Sequence, residues 1–376
     1  MELKEYRFDE VTINFDKKRI PLSGAQRKKR QGNFRYYGAQ GVIDHIDDFI
    51  FDGTYLLIAE DGENLKSKKQ NIAQVVEGQF WVNNHAHIVQ GNELCNTRYL
   101  CYLLNSMDLS GYVTGSAQPK LSQANLNAVT LFLPSITVQE RIVESLYLFD
   151  KKIAVNQKIN DNLYEMVNAY YTSLFKESDC EMTTVGNYAE RIYSGGTPMT
   201  SNAAYWNGTF GWFSSGETRN RFVISTEKTI TQAGIDNSST KLATKYDIVM
   251  ASAGQGFTRG QISMLLIDTY VNQSVIVIKS ERNILPYLFW NLVNRYDELR
   301  AISDSSSIRG SLTTKMIAAF EIPLANEQSL QAFADFAWSV IPQIENNLLE
   351  NERLTALRDS LLPKLMSGEI DVTDIP

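Results

Sequence analysis

The sequence predicts an α+β protein: two mixed α/β modules separated by two long antiparallel coiled-coil helices, in an internal pseudo-two-fold repeat. Features of the first half recur in the same order in the second half, displaced by about 190 residues. Each module ends at a proline, and each proline precedes a long segment with coiled-coil spacing of apolar residues. These observations predict a first module at 1–134, a first helix at 135–178, a second module at 179–323, and a second helix with the C-terminal tail at 324–376.

The repeat is visible in short segments of both modules. Residues 82–86 read VNNHA and residues 271–275 read VNQSV, and both lie among aromatic and β-branched residues typical of strands. Residues 99–105 and 287–294 form similar short helical patterns. The first module ends with LFLP, and the second ends with FEIP. Both modules are therefore expected to be mixed α+β domains of related plan.

The segments that follow the two prolines have the clearest periodicity in the chain. Apolar or Asn residues follow one another mainly three or four positions apart, as they do along the seam of a coiled coil. The first seam contains Ile142, Leu146, Phe149, Ile153, Asn156, Asn160, Leu163, Val167, Tyr170 and Leu174. The second seam contains Phe333, Ala337, Val340, Ile344, Asn347, Asn351, Leu354, Arg358, Leu361 and Leu365. The heptad pattern thus survives in both halves, with one Arg in the second.

Two Asn residues stand at matching positions of each seam. Asn at such a position costs stability but fixes the register of the helices. Antiparallel helices related by a pseudo-dyad would bring these Asn residues opposite each other, which predicts a polar waist. The alternative is two unrelated amphipathic helices packed on separate domains. Pro342 lies inside the second pattern and is expected to kink or interrupt it, so that this helix begins properly only after Pro342.

Composition excludes several classes of protein. Apolar residues make up 43% and charged residues 21% of the chain, which is ordinary for a globular protein with two or three domains. No stretch is apolar over the length needed to cross a bilayer. Three cysteines and a charged N-terminal segment predict a cytoplasmic location. The net charge of -7 argues mildly against a nucleic-acid partner, so that any DNA contact requires local basic patches.

Basic patches are present in both modules. Residues 17–35 hold eight Lys or Arg residues and no acid. The candidate DNA-binding residues of the first module are Arg27, Lys28, Lys29, Arg30, Arg35, Tyr37, Lys66, Lys68, Lys69, Gln118 and Lys120. Those of the second module are Arg219, Arg221, Lys241, Gln255, Thr258, Arg259 and Arg309. Cations can neutralise phosphates, and amide and guanidinium groups can read base edges. The alternative for each residue is a solvated basic loop in an acidic protein.

No pattern in the chain predicts catalysis or a resident metal. His85 and His87 with Cys95 would make only part of a zinc site, and we interpret them as ordinary strand residues. The Gly-rich segment 253–260 lacks the Gly-Lys-Ser/Thr ending of a phosphate-binding loop. We interpret it as a tight loop that presents Gln255, Thr258 and Arg259 to a groove. The motif of amino-methyltransferases and a dinucleotide fingerprint are also absent.

Several short runs of the chain form a distinctive set. In the second module they are VG at 185–186, SGGTP at 194–198, YWNG at 205–208 and DIV at 247–249, and the C-terminal run LRDSLLPKLMSGEI at 357–370 is especially specific. With these runs, nearly the whole chain resembles the specificity subunits of type I restriction-modification systems. In the first module, FRYYGAQG at 34–41 with FDG at 51–53 and AEDG at 59–62 is similar to another subtype of the same recognition domain.

The resemblance implies that each module reads one half of a bipartite, asymmetric site in double-stranded DNA. It also implies that the helices act as a spacer, which for residues 138–175 would be ~57 Å long. Partners would be methylation subunits, two of them, and restriction subunits. No cofactor is expected in this chain, whereas S-adenosylmethionine, ATP and Mg are expected in the partner subunits. This chain would be a non-catalytic subunit with no membrane partner.

Two alternatives remain beside this interpretation. A relative that is normally fused to its methylase is disfavoured because no methylase motif is present. A scaffold whose two repeated modules bind protein instead of DNA is favoured by the acidic net charge. The sequence names neither the bases that are recognised nor the gap between the half-sites, because loop geometry and DNA shape leave no motif.

Overall fold

The computed structural model describes residues 2–67, 70–115, 118–175, 181–254, 258–305, 310–370 and 372. The chain divides into two compact units. Unit 1 comprises Met1–Lys152 with Arg353–Pro376, and unit 2 comprises Ile153–Glu352. Each unit therefore contains one module together with parts of two long helices.

Unit 1 is built around a mixed sheet. Its elements up to the first long helix are β1 (Lys4–Arg7), β2 (Thr12–Asn14), α1 (Gly24–Lys28), β3 (Gln31–Gly38), β4 (Gly41–Ile46), β5 (Phe51–Ala59), α2 (Asn64–Ser67), β6 (Ala73–Val82), β7 (Ala86–Gly91), α3 (Thr97–Ser106), α4 (Gln123–Asn127), β8 (Thr130–Leu133) and α5 (Ile136–Phe175). Six strands form one sheet in the order β2-β7-β5-β6-β3-β4, and β1 pairs with β8 in a separate ribbon. Only the β3–β6 pair in the six-stranded sheet is parallel.

The second module has a different sheet arrangement. Its elements are β9 (Met182–Thr184), α6 (Val185–Tyr188), β10 (Ala189–Ser194), β11 (Trp206–Phe213), β12 (Phe222–Val223), β13 (Lys228–Ile230), α7 (Gln232–Asp236), β14 (Lys241–Ala243), β15 (Ile248–Ala251), β16 (Ile262–Leu265), β17 (Thr269–Val271), β18 (Val275–Ser280), α8 (Leu285–Asn294), α9 (Tyr296–Ser305), α10 (Thr314–Ala318), β19 (Glu321–Pro323) and α11 (Glu327–Ser367). A five-stranded sheet has the order β10-β18-β15-β16-β12, and a four-stranded sheet has the order β13-β11-β17-β14. A ribbon pairs β9 with β19.

The predicted repeat is confirmed in the local structure of both modules. In each, an antiparallel ribbon joins the first strand to the last, β1 to β8 and β9 to β19. In each, a short helix precedes the last strand and is capped by a hydroxyl: Ser122 Oγ accepts from the backbone N of Asn125 at 3.2 Å, and Thr313 Oγ1 accepts from the backbone N of Met316 at 3.2 Å. Side-chain oxygens of this kind satisfy the free N–H groups of a helix N-terminus.

The recurrent Asn of the two V-N segments has a shared structural role. Asn83 Oδ1 accepts from the backbone N of His85 at 2.8 Å, and Asn272 Oδ1 accepts from the backbone N of Ser274 at 2.9 Å. Both Asn residues are buried. Asn favours such turns because its side chain imitates the backbone of a turn. The same residue is therefore repeated because each module needs the same turn between two strands.

The two long helices pair in antiparallel fashion, as predicted. In unit 2, Asn156 Nδ2 donates to Asn351 Oδ1 at 2.9 Å. Asn347 Nδ2 donates to Asn160 Oδ1 at 2.8 Å, which is the contact expected from a pseudo-dyad. Asn160 also donates to the carbonyl oxygen of Ile344 at 3.2 Å. Residues later in α5 face residues earlier in α11, so the two helices are antiparallel. The four Asn residues that meet there form the polar waist that the sequence predicts.

The Arg in the second seam has a partner in unit 1. Arg358 Nη1 contacts Asp150 Oδ1 at 2.6 Å, and the hydroxyl of Tyr102 donates to the same carboxylate. Burial alone lowers the pKa of Arg358, but hydrogen bonds to Asp150 and Asp359 outweigh burial and raise it. A charge can occupy a seam position only when it is paired and hydrogen-bonded. Asp150, one residue after Phe149 of the first seam, supplies the counter-charge.

The expectation that the second helix begins only after Pro342 is wrong. The helix α11 is continuous from Glu327 to Ser367 and passes through Pro342. Proline removes one backbone hydrogen bond from a helix interior. The residues around Pro342, including Val340, Ile341 and Ile344, are buried in the core of unit 2. Pro342 itself is exposed. The helix continues through it because the apolar packing of its buried neighbours outweighs the missing hydrogen bond.

Each unit buries its own core, and the long helices contribute to both. In unit 1, Ile142 and Leu146 of α5 and Leu365 of α11 pack with residues of the first module. In unit 2, Val167 of α5 and Phe333 of α11 pack with residues of the second module, among them Trp290. Each module is therefore anchored to helix surface by a continuous apolar core.

Among the described helices, none is both long enough and apolar enough to cross a membrane.

Candidate nucleic-acid interface

The basic segment of the first module lies at the helix α1 and the start of β3. Ser23 caps α1 and accepts from the backbone N of Gln26 at 3.3 Å, which places the following cations on one short helical turn and its exit. Arg27 Nε contacts Asp44 Oδ2 at 2.9 Å, and its guanidinium lies 5.1 Å from the centroid of the Tyr36 ring. Arg27 is thus held against the sheet by a carboxylate and an aromatic ring.

Arg30 is held in the same way. Its Nε contacts Asp47 Oδ1 at 2.9 Å and its Nη2 contacts Asp48 Oδ2 at 3.4 Å. The guanidinium lies 5.0 Å from the centroid of the Trp81 ring. Because the charges of Arg27 and Arg30 are compensated by nearby carboxylates, these two residues contribute less positive potential than the sequence indicates.

Lys28 and Lys29, beside these two arginines, are cations of a different kind. Both are exposed. No carboxylate of the described residues lies within ion-pair distance of either lysine. Two uncompensated charges on an exposed turn suit contacts with phosphate oxygens.

Arg35 and Tyr37, the two candidates on β3, have different environments. Arg35 Nη2 donates to the carbonyl oxygen of Glu77 at 2.6 Å, and its guanidinium lies 5.6 Å from the Tyr37 ring centroid. Tyr37 is only 5% exposed and packs edge-on against Phe80. Burial raises the pKa of Tyr37. The ring is part of the sheet core, which does not favour the predicted contact with a base.

The remaining candidates of the first module lie near the segment 114–121. Lys66 Nζ donates to the carbonyl oxygen of Gly115 at 2.9 Å, and Gln118 is exposed. Lys120 Nζ contacts Glu60 Oε1 at 3.3 Å. Lys68 and Lys69 lie outside the described residues. Lys120 is thus tied to a carboxylate, and Gln118 remains open for contact.

Next to Lys120 lies a buried ionic network that sequence reasoning missed. His87 is 1% exposed, and its Nδ1 lies 2.6 Å from Asp16 Oδ2 while its Nε2 lies 2.8 Å from the carbonyl oxygen of Leu121. Arg19 contacts both Asp16, at 3.3 Å, and Glu60, at 3.0 Å. Both ring nitrogens of His87 face acceptors, which favours a ring that carries a proton on each nitrogen. We therefore assign His87 as a buried imidazolium.

The pKa values of the network agree with this assignment. Burial by itself lowers the pKa of His87, but hydrogen bonds to Asp16 and to the Leu121 carbonyl, with the charges of Asp16 and Glu60, raise it overall. Burial raises the pKa of Asp16 and of Glu60, but the hydrogen bonds and charges of His87 and Arg19 outweigh burial and lower both. The network is a set of fixed charges that holds the strand β7 against the loop carrying Lys120. No group of three or more His, Cys, Asp or Glu residues in the described part of the chain is arranged to hold a metal.

In the second module, Arg219 and Arg221 border a cleft of about 320 Å³ that is also lined by Thr218, Gln261 and Tyr296. Arg219 is exposed but forms an ion pair with Glu227. The Arg221 guanidinium lies 4.1 Å from the ring centroid of Tyr164 on α5. The cleft thus combines two guanidinium groups with amide and hydroxyl side chains, which are the groups that contact phosphates and base edges.

Another group of cations lies against aromatic rings on strands of both sheets of the second module. Arg191 and Lys241 lie 4.8 Å and 5.8 Å from the centroid of the same Tyr193 ring. Lys228 lies within 6.0 Å of the ring centroids of two tryptophans, Trp206 and Trp212. Sequence reasoning identified Lys241 but missed Arg191 and Lys228. A signal was available, since each of the two precedes an aromatic or β-branched residue on a strand.

Arg259 of the Gly-rich segment has a structural role. Arg259 Nη1 donates to the carbonyl oxygen of Gly310 at 2.5 Å, and Nη2 forms an ion pair with Asp304. Its side chain is only 14% exposed. Thr258 accepts from the backbone N of Gln261 at 3.0 Å through its carbonyl oxygen and helps to shape the turn. Gln255 of this segment and Arg309 lie outside the described residues. The DNA contacts predicted for the Gly-rich segment and for Arg309 stay predictions.

The first of the comparisons with known proteins is a match to a family. The model of the type I restriction modification DNA specificity domain matches this chain twice, over residues 2–165 and 177–352. Together the two matches cover well over half of the chain and follow the internal repeat. The match is therefore to both modules, each with the first part of the helix that follows it.

Curated relatives agree with the family match. The chain is 35% identical over 138 residues to a putative type I restriction enzyme specificity subunit of Haemophilus influenzae, a region that covers 37% of this chain and 35% of that protein. It is 26% identical over 253 residues to a type I restriction enzyme specificity subunit of Escherichia coli, covering 63% of this chain and 61% of that protein. The matched regions thus span about one third and three fifths of these relatives' lengths. The chain is 20% identical to a second type I restriction enzyme specificity subunit of Haemophilus influenzae, in a match that covers 85% of this chain and 84% of that protein.

The fold is similar to a solved structure. The crystal structure of a type I restriction-modification system S subunit from M. genitalium superposes with a TM-score of 0.57 at 15% sequence identity. The superposition covers 97% of this chain and 96% of that one. At this identity the likeness concerns the fold alone.

Proposed function

This chain belongs to the family of type I restriction modification DNA specificity domains, and from that membership we propose that it selects the DNA sequence on which a type I restriction-modification complex acts. Each module reads one half of a bipartite, asymmetric site in double-stranded DNA. The long helices set the gap between the half-sites and dock the methylation and restriction subunits. The relatives carry the name of specificity subunits of such enzymes.

One observation carries the proposal: the modules share a frame but differ in their sheets. Both have the terminal ribbon, the capped short helix and the Asn turn. The first module has one six-stranded sheet, whereas the second has a five-stranded and a four-stranded sheet. Because base contacts depend on the shape and side chains of the contacting surface, modules with unlike surfaces suit half-sites of unlike sequence.

The distribution of charge supports DNA as the partner despite the acidic total. Exposed cations without a carboxylate partner among the described residues are present in both modules: Lys28, Lys29, Lys228 and Lys241. Local positive charge is sufficient for phosphate contacts, since each contact displaces counterions only in its surroundings.

The outer face of α5 supports a protein partner on the helices. Val155, Ile159 and Met166 in unit 2 are 45%, 40% and 46% exposed. They lie four and seven residues apart and so share one face of the helix, next to the seam. A row of exposed apolar residues on a helix face is typical of a surface that binds another helix. We assign this face to the methylation subunits.

The division of labour follows from the proposal. This chain is a non-catalytic subunit and holds no cofactor of its own. S-adenosylmethionine belongs to the methylation subunits, two per complex, and ATP and Mg belong to the restriction subunits. The residues described here bind and orient DNA and partners.

The test is to co-express the full chain with its methylation subunit in a host that lacks other adenine methylases, and to sequence the methylated bases. We expect one motif consisting of two different half-sites with a fixed gap. The same host with the methylation subunit alone is the control and should show no such motif. Methylation of one contiguous motif, or none at all when the two proteins co-purify, would overturn the proposal and favour the protein-binding scaffold.

A further inference from the structure

A second row of contacts follows α11 beside its seam. Trp338, Glu345 and Glu352 are each seven residues apart, so that they share one face of the helix. Each of the three contacts a segment of the second module. We call these three residues the outer stripe of α11. All of its contacts lie within unit 2.

The first contact of the outer stripe is aromatic. Trp338 Nε1 donates to the carbonyl oxygen of Arg282 at 2.7 Å. The Arg282 guanidinium lies 4.4 Å from the Trp338 ring centroid and 5.4 Å from that of Tyr246. The rings of Tyr246 and Trp338 are 4.8 Å apart at 70°. Stacked cations and edge-on rings have directional preferences, so that this contact favours one orientation of the module on the helix.

The other two contacts are polar. Lys245 Nζ contacts Glu345 Oε1 at 2.6 Å. Ser225 Oγ donates to Glu352 Oε1 at 2.6 Å. The ion pair raises the pKa of Lys245, chiefly through the hydrogen bond to Glu345. The module thus touches the same helix face at three successive heptads.

The turn that carries Tyr246 and Lys245 is held in one conformation. The Asp247 carboxylate accepts from the backbone N of Thr244 at 2.8 Å and from its hydroxyl at 3.1 Å. The backbone N of Lys245 donates to Asp268 at 2.7 Å. Tyr246 has φ of 77°, a left-handed conformation that costs a non-glycine residue free energy. A turn that keeps this conformation presents its two side chains to α11 in a fixed direction.

The outer stripe is only partly repeated on the first helix. The positions of α5 that correspond to it in the repeat are Tyr147, Ala154 and Asp161. The Tyr147 ring has a guanidinium 4.3 Å from its centroid, that of Arg98. Ala154 has no charge, so that an ion pair like that of Glu345 cannot form there. The aromatic level is therefore common to both halves, whereas the ion pair is particular to the second.

We propose that the outer stripe is the positioning element that fixes the rotation of the second module about α11 and thereby the gap between the half-sites. This inference rests on the proposed function. The close-packed apolar core joins the module to the helices and determines where the module sits. The stripe adds directional contacts that discriminate between neighbouring orientations. Successive base pairs differ by a rotation of about 35°, so that a modest rotation of a module favours a neighbouring gap length.

The test uses charge exchange at the Lys245–Glu345 pair in the complex with the methylation subunit. The variants are Lys245→Glu, Glu345→Lys and the double exchange. Lys315→Glu is the matched control, because Lys315 is exposed and has no ion pair among the described residues. The readout is the distribution of gap lengths among methylated sites.

For either single variant we expect the two half-sites to be unchanged. Methylation of sites whose gap is one base pair longer or shorter should rise about fivefold over the wild type, because the exchange replaces attraction by repulsion. The double exchange should restore the wild-type distribution, which loss of folding would not do. Unchanged gap distributions in both single variants would sink the inference while leaving the proposed function intact. Failure of the wild-type complex to methylate any bipartite site would instead sink the proposed function.

Discussion

At the scale of single residues, the partners of the charged side chains decide what those residues do. His87 lies between two acceptors in a buried network with Asp16, Arg19 and Glu60. A buried charge that is fully hydrogen-bonded stabilises its surroundings only while the protonation states persist. The network therefore makes the stability of unit 1 depend on pH.

The first prediction concerns this dependence. The pKa of His87 is raised above its ordinary value of 6.5, so its contribution is complete below pH 6.5 and is lost as pH rises through the folded-state pKa. The pKa values of Asp16 and Glu60 are lowered from 3.8 and 4.5, so their contributions are present above those values and are lost as pH falls through the folded-state pKa. Thermal unfolding should show greatest stability between these limits.

His87→Gln is the variant that tests the assignment. We expect it to lower the free energy of unfolding by about 3 kcal/mol at pH 6, because a buried carboxylate loses its charged partner. The fall in stability above pH 6.5 should disappear in this variant. His45→Gln, at an exposed position, is the control and should retain the wild-type pH profile. An unchanged profile in His87→Gln would contradict the imidazolium assignment.

The second prediction separates free cations from paired ones. Lys28 and Lys29 have no carboxylate partner among the described residues, whereas Arg27 and Arg30 do. Replacing Lys28 and Lys29 together by Ala should weaken DNA binding by the assembled complex and reduce the salt slope of the affinity by about 2, one for each phosphate contact. Binding is measured from low to high salt, with Lys315→Ala as the control. An unchanged slope would remove this turn from the interface.

At the scale of elements, the antiparallel helix pair combines an apolar seam with a polar waist. The side chain of Asn156 is fully buried, and its Oδ1 has no hydrogen-bond partner among the described residues. Its Nδ2 donates to Asn351 and to Glu350. Such a group costs stability and defines register, which is the use of Asn in other coiled coils.

The third prediction follows from that balance. Asn156→Ala should lower the free energy of unfolding by about 1–2 kcal/mol, because the half-buried acceptors of Asn351 and Glu350 lose their donor. Replacing Asn156 and Asn351 together by Leu should recover this loss or exceed it, at the expense of a defined register. Urea unfolding measures both effects. Asn162→Ala, at an exposed position of the same helix, is the control and should change little. Equal destabilisation by the single and double variants would contradict this account.

At the scale of the whole molecule, the length of the helix pair is proposed to set the gap between half-sites. Sequence reasoning would place an insertion after Phe175, where the first helix was expected to lead into the second module. In the structure Phe175 and Tyr171 pack with Tyr287 and Phe333 in the core of unit 2. An insertion after Phe175 therefore follows the packed part of α5 and leaves the described helix pair as it is.

The fourth prediction uses an insertion within the pair. One heptad is added to each helix at facing positions, after Val155 and after Asn351, so that the phase of both seams is kept. Seven residues lengthen a helix by ~10 Å, and we expect the gap to change by about three base pairs, at 3.4 Å per pair. A seven-residue insertion after Phe175 is the control and should leave the gap unchanged. An unchanged gap after the heptad insertions would refute the role of the helices as a spacer.

The sequence by itself determined the repeat, the two long helices and the Asn waist. These features depend on periodicity and on residues close together in the chain, which the sequence displays directly. Tertiary structure alone decided which cations are free, because the partners of Arg27, Arg30 and Arg358 lie on other elements. It also decided the continuity of α11 through Pro342, since buried neighbours outweigh a local preference. The outer stripe and the His87 network belong to the same class: they join residues far apart in the chain, and no local pattern records such pairings.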